Sequence, residues 1–454
     1  MSTVALDYVY RYSQPSALVV DGALERLFLA TTSAPAAGSP LFFRGTLCQP
    51  RRTADLLLAL ARVVRTCFHV PPAMLARLIA ESDPVVTCSE DRVRLEGFSS
   101  CCGVYARVDL LPPALDGALL AHGTTNVDFN APMRAALAGI RERETVRLSV
   151  GAEEVELSRA TGETVERKVP LPVRWLKGFV EAQAHQARLT RRFEVSGAET
   201  RRFLRGLPRS GTHGRPAYVA GSGSGLRLSQ VAGRGAVRVA GVERLLVLDD
   251  LARHARRLRV YAGDDTEASG WELELDDARF HLVLSPEVWR GFSGEGQVLD
   301  ELSAAEGERE TARVRAALRW QSRLDAESLA RECGLEPAAV RRALARLGAS
   351  GVVGYDLAEG AFFHRELPYD YDRIEALHPR LRDARKLLAE GGVELTREDE
   401  AGVEAWVRGS GVEHRVRLDA HGARCTCPWW SKHGGERGPC KHVLAVQILA
   451  GGEA

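Results

Sequence analysis

The sequence predicts an α+β chain of several domains: a β-rich central region, then three helices and a hairpin, then a small C-terminal ββα module. Three observations predict it. Short runs of alternating apolar residues recur between residues 93 and 300. Between Glu308 and Leu367, helix-start and helix-stop residues punctuate an apolar pattern of helical period. Near the C-terminus, three of the nine cysteines gather beside a histidine. At 454 residues and 45% apolar content, the chain is also too long for one small core.

Residues 1–92 are expected as an N-terminal α/β region. Its clearest element is a helix over residues 53–66, where Leu56, Leu57, Leu60, Val63 and Val64 fall on one face. Residues 93–300 form the β-rich region. Strand alternation is visible over 104–110, 146–157 and 271–284, and helices are expected over 131–140, 198–207 and 242–258. A strand leading into a helix and then paired strands occurs around 127–157 and again around 237–284. Such a duplication fits a sliding-clamp-like or other α+β arrangement. Gly221 to Gly225 read as a turn. A phosphate-binding loop needs a lysine and then Ser or Thr after its glycines, whereas Gly225 is followed by Leu226 and Arg227.

Residues 305–370 carry sharper punctuation. A first amphipathic helix bears Val314, Ala317 and Leu318. Asp325 is placed to cap a second, which bears Leu329 and Cys333 and stops at Gly334. Glu336 and Pro337 open a third, with Val340, Ala343, Leu344 and Leu347 inward and an end near Gly348. Extended runs over 352–357 and 361–365, joined by Ala358, Glu359 and Gly360, make a hairpin. This order resembles the winged helix-turn-helix family. The resemblance implies that the third helix enters the major groove with Arg341, Arg342 and Arg346 outward, or that the unit docks another protein.

Charge is unevenly spread. Residues 188–260 hold 16 arginines, no lysine and 5 acids, so that window is near +11 in a chain of net charge +1. A basic surface suggests a polyanionic partner; the alternative is an ordinary solvated or partner-binding face. The adjacent Cys101 and Cys102 read as small buried groups pointing to opposite faces of a strand. No paired carboxylate, triad or open metal site has usable spacing, so no enzymatic activity is expected. No apolar run is long enough for a membrane helix and the first twelve residues lack a secretion signal, which predicts a cytoplasmic protein without membrane contact.

The strongest signal is Arg424-Cys425-Thr426-Cys427-Pro428-Trp429-Trp430, followed after a polar loop by Gly438-Pro439-Cys440-Lys441-His442. It resembles the SWIM zinc finger, whose pattern is C-x-C, a variable spacer, then C-x-H. The family's two strands are legible over 403–408 and 412–418, and its helix over 443–450, closed by Gly451 and Gly452. The module is assigned to 393–454, after a helical linker over 371–392. The spacing has a physical reason: residues two apart on an extended segment point to one side, so Cys425 and Cys427 converge. Cys440 and His442 complete a tetrahedral set for one structural Zn2+. His433, in the spacer, is an alternative ligand.

Arg424, Lys432, Arg437 and Lys441 either balance the charge of the site or face a phosphate backbone. Trp429 and Trp430 either pack on the helix or stack on a base or partner side chain. The runs 289–296 and 363–368 look like runs in bacterial proteins that carry this finger. The resemblance implies a binding role: DNA binding through finger, winged helix and arginine-rich surface, or a protein-protein interaction adaptor for an ATPase of an NTP-dependent bacterial system.

Overall fold

The computed structural model describes residues 17–21, 24–28, 40–68, 84–127, 129–169, 171–209, 216–303, 307–367, 378–409 and 411–451. Pro368, residues 371–377 of the expected linker, and Gly452 lie outside them. An N-terminal hairpin pairs β1 (Ala17–Asp21) with β2 (Leu24–Phe28).

The main body begins with β3 (Leu41–Leu47) and α1 (Pro50–Arg65), which buries the apolar face read from the sequence and carries Arg62 and Arg65 in its last turn. Then come β4 (Val85–Cys88), β5 (Val93–Phe98), β6 (Val104–Leu110), β7 (Leu115–Leu119) and β8 (Gly123–Asn126). They are followed by α2 (Ala131–Ala138), capped by Asn130, and by β9 (Arg147–Gly151), β10 (Glu154–Arg159) and β11 (Gly162–Arg167). After α3 (Val173–Gln186), the second half runs through β12 (Thr190–Ser196), α4 (Gly197–Arg205), β13 (Pro216–Ser222), β14 (Gly225–Ser229), β15 (Val237–Ala240), β16 (Arg257–Ala262), β17 (Ser269–Glu274) and β18 (Ala278–Leu284).

The order strand, helix, three strands occurs at β3–α1–β4–β5–β6 and again at β8–α2–β9–β10–β11. The leading strands are exchanged, since β8 pairs with β4 and β3 with β9. In the second half β12 pairs with β16 and β15 with β13 by the same exchange. Antiparallel pairing of β6 with β18 joins the halves into one eight-stranded sheet, ordered β12-β16-β17-β18-β6-β5-β4-β8.

Several expectations are corrected. The helix expected over 242–258 is a 3-10 helix over Val242–Leu248 followed by turns, and Leu258 lies in β16. Leu245, Leu248 and Leu251 are all buried at a spacing of three, which suits 3-10 turns, while Leu258 and Val260 alternate as a strand. The run 146–157 is the hairpin β9–β10. Residue 92 is no boundary, because β4 and β5 on either side of it are sheet partners and α1 shares the main core. Cys101 and Cys102 lie in the turn between β5 and β6, where Cys102 has a φ of 56°. Gly221 to Gly225 form the turn between β13 and β14, with Gly223 at a φ of 58°.

A short helix α5 (Leu299–Ser303) precedes α6 (Glu308–Ala316), α7 (Ala326–Cys333) and α8 (Pro337–Ala349), then the antiparallel hairpin of β19 (Val353–Asp356) and β20 (Ala361–His364). Asp325 caps α7 by accepting from Ser328 N at 2.9 Å, and Gly334 ends it at a φ of 59°. Val314, Leu329, Val340, Leu344 and Leu347 share a core of their own.

The hairpin does not project freely. Its Asp356 and Phe363 are buried, and Leu357 and the following Leu367 belong to the main core. Arg94 Nη2 and Arg107 Nη2 each lie 2.9 Å from a different oxygen of Asp356, and Arg107 Nε lies 2.9 Å from Asp109. Arg365 reaches Glu96 at 2.7 Å, and Phe363 packs under Arg94 with the guanidinium 3.9 Å from its ring centre. Against the upward push of burial, Arg107 and Arg94 hold the carboxyl of Asp109 well below the usual range.

The C-terminal part comprises α9 (Pro379–Ala389), β21 (Val393–Asp399), β22 (Gly402–Arg408), β23 (Glu413–Asp419), β24 (Gly422–Cys425), α10 (Pro428–His433) and α11 (Lys441–Ala450). The expected ββα module therefore has four strands, in the order β21-β22-β23-β24. Among the described residues no helix is long and apolar enough to cross a membrane.

Candidate metal centre

Cys425 ends β24, where it pairs across to Val416. The chain then turns into α10, whose N-cap is Cys427; its Sγ accepts from Trp430 N at 3.4 Å. Gly438, at a φ of 73°, and Pro439 redirect the chain so that Cys440 occupies the N-cap position of α11 and His442 stands in its first turn. The four side chains are buried, and one donor atom from each lies within 4.8 Å of all the others.

His442 Nδ1 lies 3.8 Å from Cys425 Sγ. That separation suits two ligands of a tetrahedral ion with Zn–S near ~2.3 Å and Zn–N near ~2.0 Å. A hydrogen bond from the Cys425 thiol is the main influence pushing the Cys440 thiol down to about 4. The N-terminus of α11 adds a favourable dipole beside these sulfurs. Three thiols, one already acidic, and an imidazole fit a zinc ion, and these four residues are positioned to bind one.

His433 is not part of the set; its ring lies against Trp429, with centroids 4.4 Å apart. His414, which sequence reasoning missed, lies tilted against His442, with ring centroids 4.6 Å apart. Its place is legible afterwards: β23 alternates, so His414 faces inward with Val416.

Trp429 is occupied rather than free. Arg380 and Arg437 lie over its ring at 4.7 and 5.2 Å. Trp430 is half-buried beside the finger core, Lys432 is exposed and Lys441 half-buried.

Arg380 also ties the finger to the body. It donates to the carbonyls of Arg437 and Pro439, both at 2.8 Å, and of Glu295 at 3.1 Å. Arg437 donates to Gly294 O and Gln297 to Glu436 O, both at 2.8 Å. Gly438 lies so close to Gly296 that a Cβ there would come within 1.9 Å of its carbonyl oxygen. The run 289–296 is thus the seat of the finger loop. The run 363–368 contributes Arg365 to the bond with Glu96, and His364 stacks on Trp320 at 4.4 Å.

The remaining candidates lie on other elements. Arg341 and Arg342 are exposed on α8 and Arg346 is half-buried there, while Arg341 sits 3.6 Å from Glu327. The arginine-rich window is largely neutralised by the fold. Among the described residues, ten of its arginines meet carboxylates, among them Asp55, Asp264, Glu272, Asp276 and Glu287 from outside the window. Arg244 is buried and donates to Gly103 O and Ser285. A second group with metal-ligating atoms, Asp109, His281 and Asp356, is already filled by Arg94 and Arg107.

Fold and site together define a zinc-finger module seated on an α+β body. Residues 414–449 match the model of the SWIM zinc finger, a span that covers β23 through most of α11. No curated protein matches the chain. Among solved structures it is similar to the crystal structure of proliferating cellular nuclear antigen from Entamoeba histolytica, at 9% identity and a TM-score of 0.37, over 55% of this chain and 100% of that one.

Proposed function

We propose that the chain is a non-enzymatic, cytoplasmic zinc-binding protein that contacts DNA, with α8 as one contact and the finger as another. The order of three helices and a hairpin supports this reading, since in a winged helix-turn-helix the third helix reads the major groove. The observation that carries the reading is the two-sided character of α8. Val340, Ala343, Leu344 and Leu347 are buried, while Arg341 and Arg342 stand exposed on the other side. Exposed Arg424 and Lys432 add cations on the finger. Three thiolates and an imidazole fill a tetrahedral shell, so the zinc is read as structural.

A second reading, a protein-interaction adaptor for an ATPase of an NTP-driven system, is favoured by the paired arginines of residues 188–260. They weaken the case for a broad phosphate-binding surface.

An electrophoretic assay separates the two. DNA binding predicts retention at low salt that falls steeply as salt rises, because bound phosphates release counterions. R341A/R342A should weaken retention about tenfold with zinc content unchanged. No retention of single- or double-stranded DNA at low salt removes the DNA reading, and stable co-purification with an ATPase would then support the adaptor.

A further inference from the structure

A cavity of about 130 Å3 lies between α3, the turn around Ser293 and the start of α9. Its wall includes Lys177, Glu181, Ser293, Glu295, His378 and Arg380. Three of these are more than nine-tenths buried and hold polar atoms without a hydrogen-bond partner among the described residues. They are Glu181 (1% exposed) at Oε1, Glu295 (6%) at Oε2 and His378 (6%) at Nε2. Buried polar atoms are ordinarily paired, so three orphans around one cavity point to a missing ligand.

The wall does not supply what they lack. Arg380 is committed to the carbonyls of Glu295, Arg437 and Pro439. Glu181 Oε2 already accepts from Gln297 N at 2.8 Å, and Arg290 Nε lies 2.6 Å from Glu295 Oε1. A single metal ion is the wrong size and charge. Among the described residues, Glu181, Glu295 and His378 do not bring ligand atoms within 4.8 Å of one another, and Lys177 and Arg380 repel a cation. The cavity is also several times the ~30 Å3 share of one water molecule.

The carboxylate side calls for a positively charged donor, and half-buried Lys177 calls for an anion. We propose that the cavity binds a small zwitterion of the amino-acid class, its ammonium donating to Glu181 and Glu295 and its carboxylate accepting from Lys177. Burial, with Glu295 adding to it, pushes the carboxyl of Glu181 up to about 8. Burial, then Lys177 and Arg380, presses His378 down to about 4. An ammonium beside Glu181 adds to the counter-charge that Lys177 and Arg380 exert on its carboxylate.

The test is calorimetric titration of the full-length, zinc-loaded protein near neutral pH with each free L-amino acid in turn. Ammonium chloride and sodium acetate serve as single-charge controls. At least one amino acid should bind saturably, with both controls at least tenfold weaker. E181Q should weaken that binding at least tenfold while zinc content stays unchanged; E295Q should do the same and keeps the test valid if E181Q does not fold. No saturable binding by any amino acid at millimolar concentration overturns the proposal, and so does ammonium alone binding as tightly as the best amino acid.

Discussion

The finger and the buried ion cluster under the β19–β20 hairpin solve one electrostatic problem in two ways. Each must keep negative side chains out of water. The finger gathers Cys425, Cys427, Cys440 and His442 from one short stretch and takes its cation from outside. The cluster brings its own cations. Arg94 and Arg107 come from the large sheet, while Asp356 comes from the hairpin, 262 residues from Arg94. One arrangement therefore depends on a removable ion, and the other is fixed by the fold that assembles it.

The comparison breaks most visibly at the metal. A structural zinc contributes on the order of 10 kcal/mol to modules of this kind. Chelation, or C425S/C440S, should release zinc and remove hydrogen-exchange protection from α11, while β6 and β18 stay protected. Loss of protection in β6 and β18 as well would mean that the finger holds up the body. The cluster is the next test. Asp356→Ala leaves two buried guanidinium groups short of a carboxylate and should cost ~3–5 kcal/mol in urea unfolding, with zinc content unchanged.

The same contrast explains what the sequence revealed. Cys-x-Cys and Cys-x-His lie close together on an extended segment and a helix start, so local geometry alone brings them to one point. Nothing local links Arg94, Asp109, His281, Asp356 and Arg365. Their meeting requires the β6–β18 pairing that joins the two halves. The strand–helix–strand repetition was legible in two places because its apolar alternation is local, but the exchange of leading strands was not. The stretch 242–258 misled because its buried leucines recur every three residues, which a helical reading accepts. The role of 291–296 as a seat was not legible, because its partner, the loop at 436–439, is remote in sequence.

Glu181 offers a pH test of a buried carboxyl that makes no direct ion pair among the described residues. Its folded value of about 8 lies above its ordinary value of 4.5. Its contribution to stability is therefore fully present below the ordinary value and is lost as pH rises through about 8. At about 1.4 kcal/mol per unit over that gap, the loss is at most ~5 kcal/mol. The wild-type protein without a cavity ligand should lose thermal stability between about pH 5 and pH 8 relative to E181Q, with no further loss above that range. Parallel curves would show that the carboxyl has another partner. Smaller still is the docking contact. Arg380→Ala removes three bonds to carbonyls and a cover over Trp429, and should cost about 1–3 kcal/mol, with faster exchange at 434–440 and zinc retained.

The smallest effect is expected where the charges are most numerous. Arg202 pairs with Glu199 at 2.6 Å, with 77% of the arginine side chain exposed. Water screens such a pair and the long side chain resists being held, so R202Q should change stability by less than about 1 kcal/mol. Its bond is as short as those within the cluster, so burial and the number of partners, two guanidinium groups and two backbone N–H groups at Asp356, separate it from Asp356→Ala. If urea unfolding gave both variants the same cost, burial would not be what sets the cluster apart. If R202Q also weakened DNA retention as much as R341A/R342A, the pairing of the window's arginines would not prevent their use, and the arginine-rich face would return as a DNA contact.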